Sequence, residues 1–326
     1  MISNRVFALF KSPLIIERQI FQICPEMQGP EKKNIGPRPL KPGDTIGIVA
    51  PAGPFDPKKF NKGKTVLETM GFRLCYDENI FQKNGFLAGT DTQRADQINR
   101  LFADPSVQAI VCARGGYGSM RILPLLDFKT IRAHPKIFLG FSDISALLAV
   151  LNEQCGMVTF HGPMVTTLAT ATKKTIMGMK TALTTDGPFE LISKDEKAIK
   201  PGVCSGVLAG GNLNTLCHLV GTPYHPNFKG KILLLEDVGE MTYRIDRMLT
   251  QMKMAGCFDG IAGLMLGTFK KCGQLNEIVE IFDNIFHDMD IPILAGFGIG
   301  HGKTNLTVPI GRDATLDTEK KRLYVI

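Results

Sequence analysis

Apolar residues gather along this chain in short continuous runs separated by longer amphipathic stretches. That is the pattern of buried parallel strands alternating with surface helices. Ile46–Ala50, in TIGIVAPAGP, reads as the first strand, closed by Pro51 and Gly53. Residues 57–71 read as a helix that stops at Gly71, a residue suited to a helix C-terminus. Phe72–Tyr76 is a second strand, and Thr92–Phe102 a helix with Ala95, Ile98, Leu101 and Phe102 on one face. Val107–Ala113, Ile137–Phe141 and Val158–Phe160 continue the strands, with one helix from Met120 and another running through Asn152. Residues 165–200 are richer in Thr and Lys and read as a connection. Beyond it come the strand Ile232–Glu236, a helix over 243–255, the strand Gly260–Leu266, a helix over 275–287 and the strand Ile293–Gly296. The chain closes on a hairpin around Thr318–Lys321.

Strand–helix alternation of this kind predicts an α/β fold. Residues 38–165 are expected to form an N-terminal parallel-sheet domain of flavodoxin-like or Rossmann-like type. A linker follows over 166–200, then a smaller C-terminal α/β domain with a β-rich end over 201–326. Residues 1–37 read as an N-terminal extension outside the main fold; their longest apolar run, VFALF, is too short for a signal-peptide core.

Composition narrows the function classes. Apolar residues make up 44% and charged residues 21%, enough for a sizeable core in a folded chain. The formal charge of +7 favours acidic ligands. It comes without a basic run or any Trp, so nucleic-acid binding is not expected. No apolar stretch reaches membrane-spanning length. The eight cysteines contain no CxxC pair, so no metal cluster is expected. They read as reduced, buried small hydrophobes in a reducing compartment, which places the protein in the cytoplasm. The first strand is not followed by G-x-G-x-x-G, which argues against a Rossmann-type nucleotide binder, and no cofactor is expected.

Candidate chemistry lies beyond the carboxyl ends of the predicted strands, where open α/β sheets place their sites. Arg114-Gly115-Gly116-Tyr117-Gly118-Ser119-Met120 joins a buried strand to a helix. Its glycines permit a tight turn, and a serine at a helix start sits where developing negative charge is favoured. A glycine-rich phosphate loop or a plain N-cap is the competing reading. Gly140-Phe141-Ser142-Asp143 has the same strand–turn–helix context, but there Ser142 and Asp143 read as helix caps. A nucleophilic serine needs a base. His301, flanked by glycines in GFGIGHGK, stands above His134, His225 and His287, with His218 read as packed in a helix and His161, after a strand, a serious rival. The orienting acid is Glu236 or its neighbour Asp237, at the end of the strand, with Glu240 and Asp246 weaker.

At these residues the chain resembles the LD-carboxypeptidase family of serine peptidases, which includes the microcin C self-immunity peptidases. The resemblance rests on KPGDTIGIVAPAGP (41–54), AGTDTQRADQINRLFADPSVQAIVCARGGYGSMRILPLLDF (88–128), FLGFSDISALLAVL (138–151), HGPM (161–164), LAGGNLNTLCHLVGTPY (208–224), GKILLLEDVGEMTYRIDRMLTQM (230–252) and GIGHGKTNLTVPIG (298–311). These cover nearly all of residues 38–326. The resemblance implies a Ser–His–Glu triad of Ser119, His301 and Glu236, so Ser119 is preferred to Ser142 and Glu236 to Asp237. It also implies release of the terminal D-alanine from a murein tetrapeptide, in cytoplasmic cell-wall recycling, without a metal and commonly as a homodimer. Within that mechanism Gly89, Gly116 and Met120 are candidate oxyanion donors, and Arg244 and Arg114 candidates for recognising the substrate carboxylate. Two rivals stand beside it: an immunity-type peptidase acting on peptidyl or aminoacyl nucleotides, and a non-catalytic peptide-binding module.

Overall fold

The computed structural model describes residues 34–194 and 198–326, and residues 34–326 form one compact unit. The extension expected at 1–37 lies, up to residue 33, outside the described residues. The first part of the unit runs β1 (Thr45–Val49), α1 (Pro57–Thr69), β2 (Arg73–Cys75), α2 (Asp91–Ala103), β3 (Ala109–Cys112), α3 (Ser119–Ile122), α4 (Phe128–Ala133), β4 (Ile137–Gly140), α5 (Ser145–Cys155), β5 (Thr159–His161), α6 (Val165–Leu168) and α7 (Lys173–Thr184). The remainder runs β6 (Phe189–Ile192), β7 (Val203–Asn212), α8 (Leu213–Leu219), β8 (Lys231–Val238), α9 (Thr242–Met254), β9 (Gly263–Lys270), α10 (Leu275–Ile285), β10 (Ile293–Leu294), β11 (Val308–Ile310), β12 (Asp313–Asp317) and β13 (Arg322–Val325).

Two sheets organise these elements. The first has the order β11-β5-β4-β3-β1-β2 and is parallel except where β11 pairs antiparallel with β5. Its inner strands are buried end to end, as their unbroken apolar runs require. The second has the order β10-β9-β8-β7-β12-β13-β6. It is parallel from β10 to β7 and antiparallel from β7 to β6. The fold is thus mixed α/β, with the expected β-rich end supplied by the β12–β13 hairpin.

Two features depart from the sequence reading. The stretch 166–200 is not a plain connection. It holds α7, which buries Thr175, Met179 and Leu183 at helical spacing, and β6, an edge strand of the second sheet. Second, β11 returns from the far end of the chain to extend the first sheet, so the two sheets share one chain path. One apolar cluster joins them: Val49, Ile110 and Phe138 from the first sheet pack in the same core as Leu233, Leu235 and Leu264 from the second. The carboxyl ends of β4, β5 and β8 are thereby brought to a common region.

Candidate active site

Glu236 lies near the end of β8 and is fully buried. Its Oε2 accepts two hydrogen bonds from His301: from the ring Nδ1 at 2.7 Å and from the backbone N–H at 3.2 Å. A carboxylate only accepts, so Nδ1 carries the proton and Nε2 keeps its lone pair. Oε1 takes a bond from Asn212 Nδ2 at 3.3 Å, across the β7–β8 register that pairs Asn212 with Glu236. Burial alone pushes the Glu236 carboxyl up. The imidazoles of His161 and His301 on either side outweigh it and hold the group down to about 2.

This pair exists because glycine precedes His301. Gly300 has φ +93°, and a Cβ there would fall 2.1 Å from Glu236 Oε2. Its N–H is tied to Asn305 Oδ1 at 2.8 Å. Gly300→Ala is therefore expected to separate acid from base. Misplacement on that scale lowers kcat about 10²-fold, which steady-state kinetics on the folded variant will read.

Asp237, the rival acid, faces elsewhere. Its carboxylate accepts from Asn212 Nδ2, from the Asn214 N–H and from its neighbour Val238. Burial, with Glu236 adding to it, raises this group to about 6 against those bonds. Its partners make it a brace between β8 and the start of α8.

His301 opens onto a cleft of about 720 Å³ whose lining includes Gly115, Phe141, Ser142, Met164 and Gly300. Lys59, Arg114, Lys270 and Lys303 also line it, with Asp56 as the opposing charge. Phe141 packs its ring on His301, centroids 4.8 Å apart. The next residue, Ser142, has φ +64°, one of three non-glycine residues in the left-handed region among the described residues. Such a conformation costs about 1–3 kcal/mol and persists where the surroundings impose it. Here β4 ends at Gly140, where any Cβ would lie 2.5 Å from Ile144, and the chain turns at once into α5. A serine on a strained strand-to-helix turn is held out toward the cleft.

Ser119 is placed differently from the expectation. It is fully buried and does not line the cleft. Its hydroxyl donates to the Asp143 carbonyl at 2.5 Å, and its N–H to Asp143 Oδ2 at 2.8 Å. Burial pushes the Asp143 carboxyl up, against the bond from the Ser119 N–H that pulls it down. Ser119 is thus an anchor for the turn that carries Ser142.

The secondary candidates also separate. Met120 packs on the core in the first turn of α3. Gly89 (φ +97°) precedes the capping box of α2 and lies outside the cleft lining. Gly116 (φ +112°) turns beside Gly53, while its neighbour Gly115 lines the cleft. A Cβ on Gly115 would lie 3.1 Å from Ser142 Cβ. Arg244 is exposed, lies 3.6 Å from Glu240 and lines a separate depression with His218. It is not at the cleft. Arg114 is, with its guanidinium also donating to the Pro54 carbonyl. His218 is exposed, its Nδ1 2.7 Å from the Asn214 carbonyl, and so is not packed as expected.

Residues that the sequence reading passed over complete the site. Arg94 is fully buried; it donates to the carbonyls of Pro51 and Gly118 and to Asp91, pinning the glycine-rich loop to the end of β1. Ser145 Oγ accepts from the Asn212 N–H at 3.0 Å, linking α5 to the end of β7. No group of His, Cys, Asp and Glu suited to a metal is present among the described residues.

Comparison with known proteins shows the family to which the chain belongs. Residues 46–162 match the LD-carboxypeptidase N-terminal domain and residues 205–316 the LD-carboxypeptidase C-terminal domain. A probable murein peptide carboxypeptidase of Bacillus subtilis is 36% identical over 313 residues, covering 92% of this chain and 97% of that protein. An MccF-like protein of Bacillus anthracis superposes with a TM-score of 0.84 at 28% identity, over 90% of this chain and 99% of that one. The muramoyltetrapeptide carboxypeptidase of Oxalobacter formigenes gives 0.77 at 28% identity, over 86% and 97%.

Proposed function

Because this chain belongs to the LD-carboxypeptidase family of serine peptidases, we propose that it releases the terminal D-alanine of murein tetrapeptides, with Ser142, His301 and Glu236 as its triad. The observation that carries the reading is the Glu236–His301 hydrogen bond at the wall of a cleft that Ser142 also lines. In this scheme Nε2 of His301 removes the Ser142 proton as Oγ attacks the carbonyl of the L,D-peptide bond. Glu236 holds the ring and supports its positive charge. The amide of Asp143, next after the nucleophile, and those of the Gly115–Gly116 turn are the oxyanion donors in this reading, each worth about 2.7–4 kcal/mol. His301 then returns the proton to the leaving D-alanine, and water releases the acyl group. Met120 follows Ser119 and so drops out of the oxyanion role. Arg114 and the lysines at the cleft supply charge for a peptide rich in carboxylates.

Residues 38–165 are read as the part carrying the nucleophile and 201–326 as the part carrying acid and base, joined through 166–200. The seven described cysteines are all free, which supports a reducing cytoplasm as the site of action. No helix among the described residues is long and apolar enough to cross a membrane. A homodimer belongs to the same reading.

The direct test is incubation with a murein tetrapeptide and detection of free D-alanine. An aminoacyl sulfamoyl nucleotide run in parallel separates the tetrapeptide reading from the immunity-type one that the MccF-like structure keeps open. Ser119→Ala, assayed alongside, is expected to keep kcat within about tenfold of wild type. It loses one hydrogen bond, about 1 kcal/mol of stability, which a urea melt will show.

A further inference from the structure

His161 ends β5 with both ring nitrogens buried and without a hydrogen-bond partner among the described residues. A buried polar group in that state is destabilising and calls for a reason. The reason lies beside it: Nε2 is 3.9 Å from Glu236 Oε1, on the side of the carboxylate away from His301. The Phe141 ring lies edge-on to it at 6.0 Å, and a Cβ on Gly211 would fall 3.5 Å from its Cδ2. The charged and titratable groups here are Glu236, His301 beyond it, and Asp237, whose carboxylate is already occupied by Asn212, Asn214 and Val238. We propose that His161 is a positioning residue: an imidazole N–H aimed at Oε1 clamps the Glu236 carboxylate from behind and keeps Oε2 on His301.

The clamp rests on the triad reading above. The two His rings share a neighbour as well, because Phe141 packs on both. A carboxylate between two imidazoles stays ionised in spite of complete burial, and the direction of the Glu236 shift agrees. Asn212 at 3.3 Å is the second restraint on Oε1. Removing His161 alone is therefore expected to loosen the acid without freeing it.

Three proteins test this: wild type, His161→Phe and His161→Gln. For His161→Phe the expected result on murein tetrapeptide is a kcat at least tenfold lower, KM within twofold and an unchanged or higher Tm. His161→Gln, which keeps an N–H donor, should recover most of the lost kcat. The low-field proton resonance of His301 Nδ1–H reports the same contact without turnover. It should shift or broaden in the Phe variant and return in the Gln variant. Wild-type kcat and resonance in His161→Phe would overturn the clamp, as would equal kcat losses in both variants with a lowered Tm, which mark a packing role. A resonance that responds as expected in a protein releasing no D-alanine would uphold the clamp and reject the substrate.

Discussion

Ser142→Ala is expected to abolish D-alanine release, lowering kcat by roughly 10⁴- to 10⁶-fold, the range seen when a triad nucleophile is removed. The variant should fold as wild type does. Alanine tolerates φ +64° no better than serine, so the backbone strain is common to both proteins and cancels in their Tm difference. Its hydroxyl faces a cleft rather than a packed core. Substrate affinity should survive, since the lysines and Arg114 at the cleft are untouched. A reading that makes Ser119 the nucleophile predicts the reverse pairing: inactive Ser119→Ala and active Ser142→Ala. The buried hydroxyl of Ser119, already donated to the Asp143 carbonyl, is poorly placed to attack a substrate in the cleft.

Glu236→Gln is the second large effect, expected at about 10³- to 10⁴-fold in kcat. Glu236 Oε2 accepts both from the His301 ring and from its backbone N–H. An amide offers one oxygen and one NH₂ group. If the NH₂ group takes the Oε2 position it meets both His301 donors, and the ring must move its proton to Nε2, which then has no lone pair for Ser142; if the oxygen takes it, the NH₂ at the Oε1 position faces the Asn212 Nδ2 donor instead. The variant also reports on linkage. The carboxyl falls from an unfolded value of 4.5 to about 2 in the fold. A depressed carboxyl stabilises the native state above about pH 4.5, and that contribution is lost as pH falls toward 2. The Tm of wild type relative to Glu236→Gln should therefore decline over that window and hold steady above it.

How much of this was legible along the chain follows from the kind of signal each part carries. The inner strands β1, β3 and β4 of the first sheet announce themselves as apolar runs, and β8 does so as KILLL, because burial on both faces leaves no polar alternation. His301 stands out locally as a histidine between glycines, whereas a carboxylate at a strand end fits Glu236 and Asp237 equally and only the family resemblance prefers Glu236. The space that Gly300 leaves for Glu236 gives the glycine signal its meaning. α7 was hidden because Thr175, Met179 and Leu183 make a sparse stripe among lysines and threonines. β11 was hidden because its partner, β5, lies far away in sequence and no local pattern encodes such a pairing.

The serine shows the limit most clearly. A glycine-rich turn suggested unusual backbone angles at Ser119. Gly115 and Gly118 instead clear room for other residues: Gly115 abuts Ser142, and Gly118 lies against Leu87 and the buried Arg94. The strained residue is Ser142 itself, in a Phe-Ser-Asp turn whose composition fits helix capping equally well. Only the three-dimensional arrangement, with Ser142 and His301 on one cleft and Ser119 behind it, separates the two serines.

The most direct test is to locate the acyl group. The wild-type enzyme is quenched in acid during turnover of a murein tetrapeptide, digested, and its peptides weighed and sequenced by mass spectrometry. The account predicts a peptide carrying the tripeptide acyl mass on Ser142. The same mass on Ser119, or free turnover with acyl mass on neither serine, would contradict it.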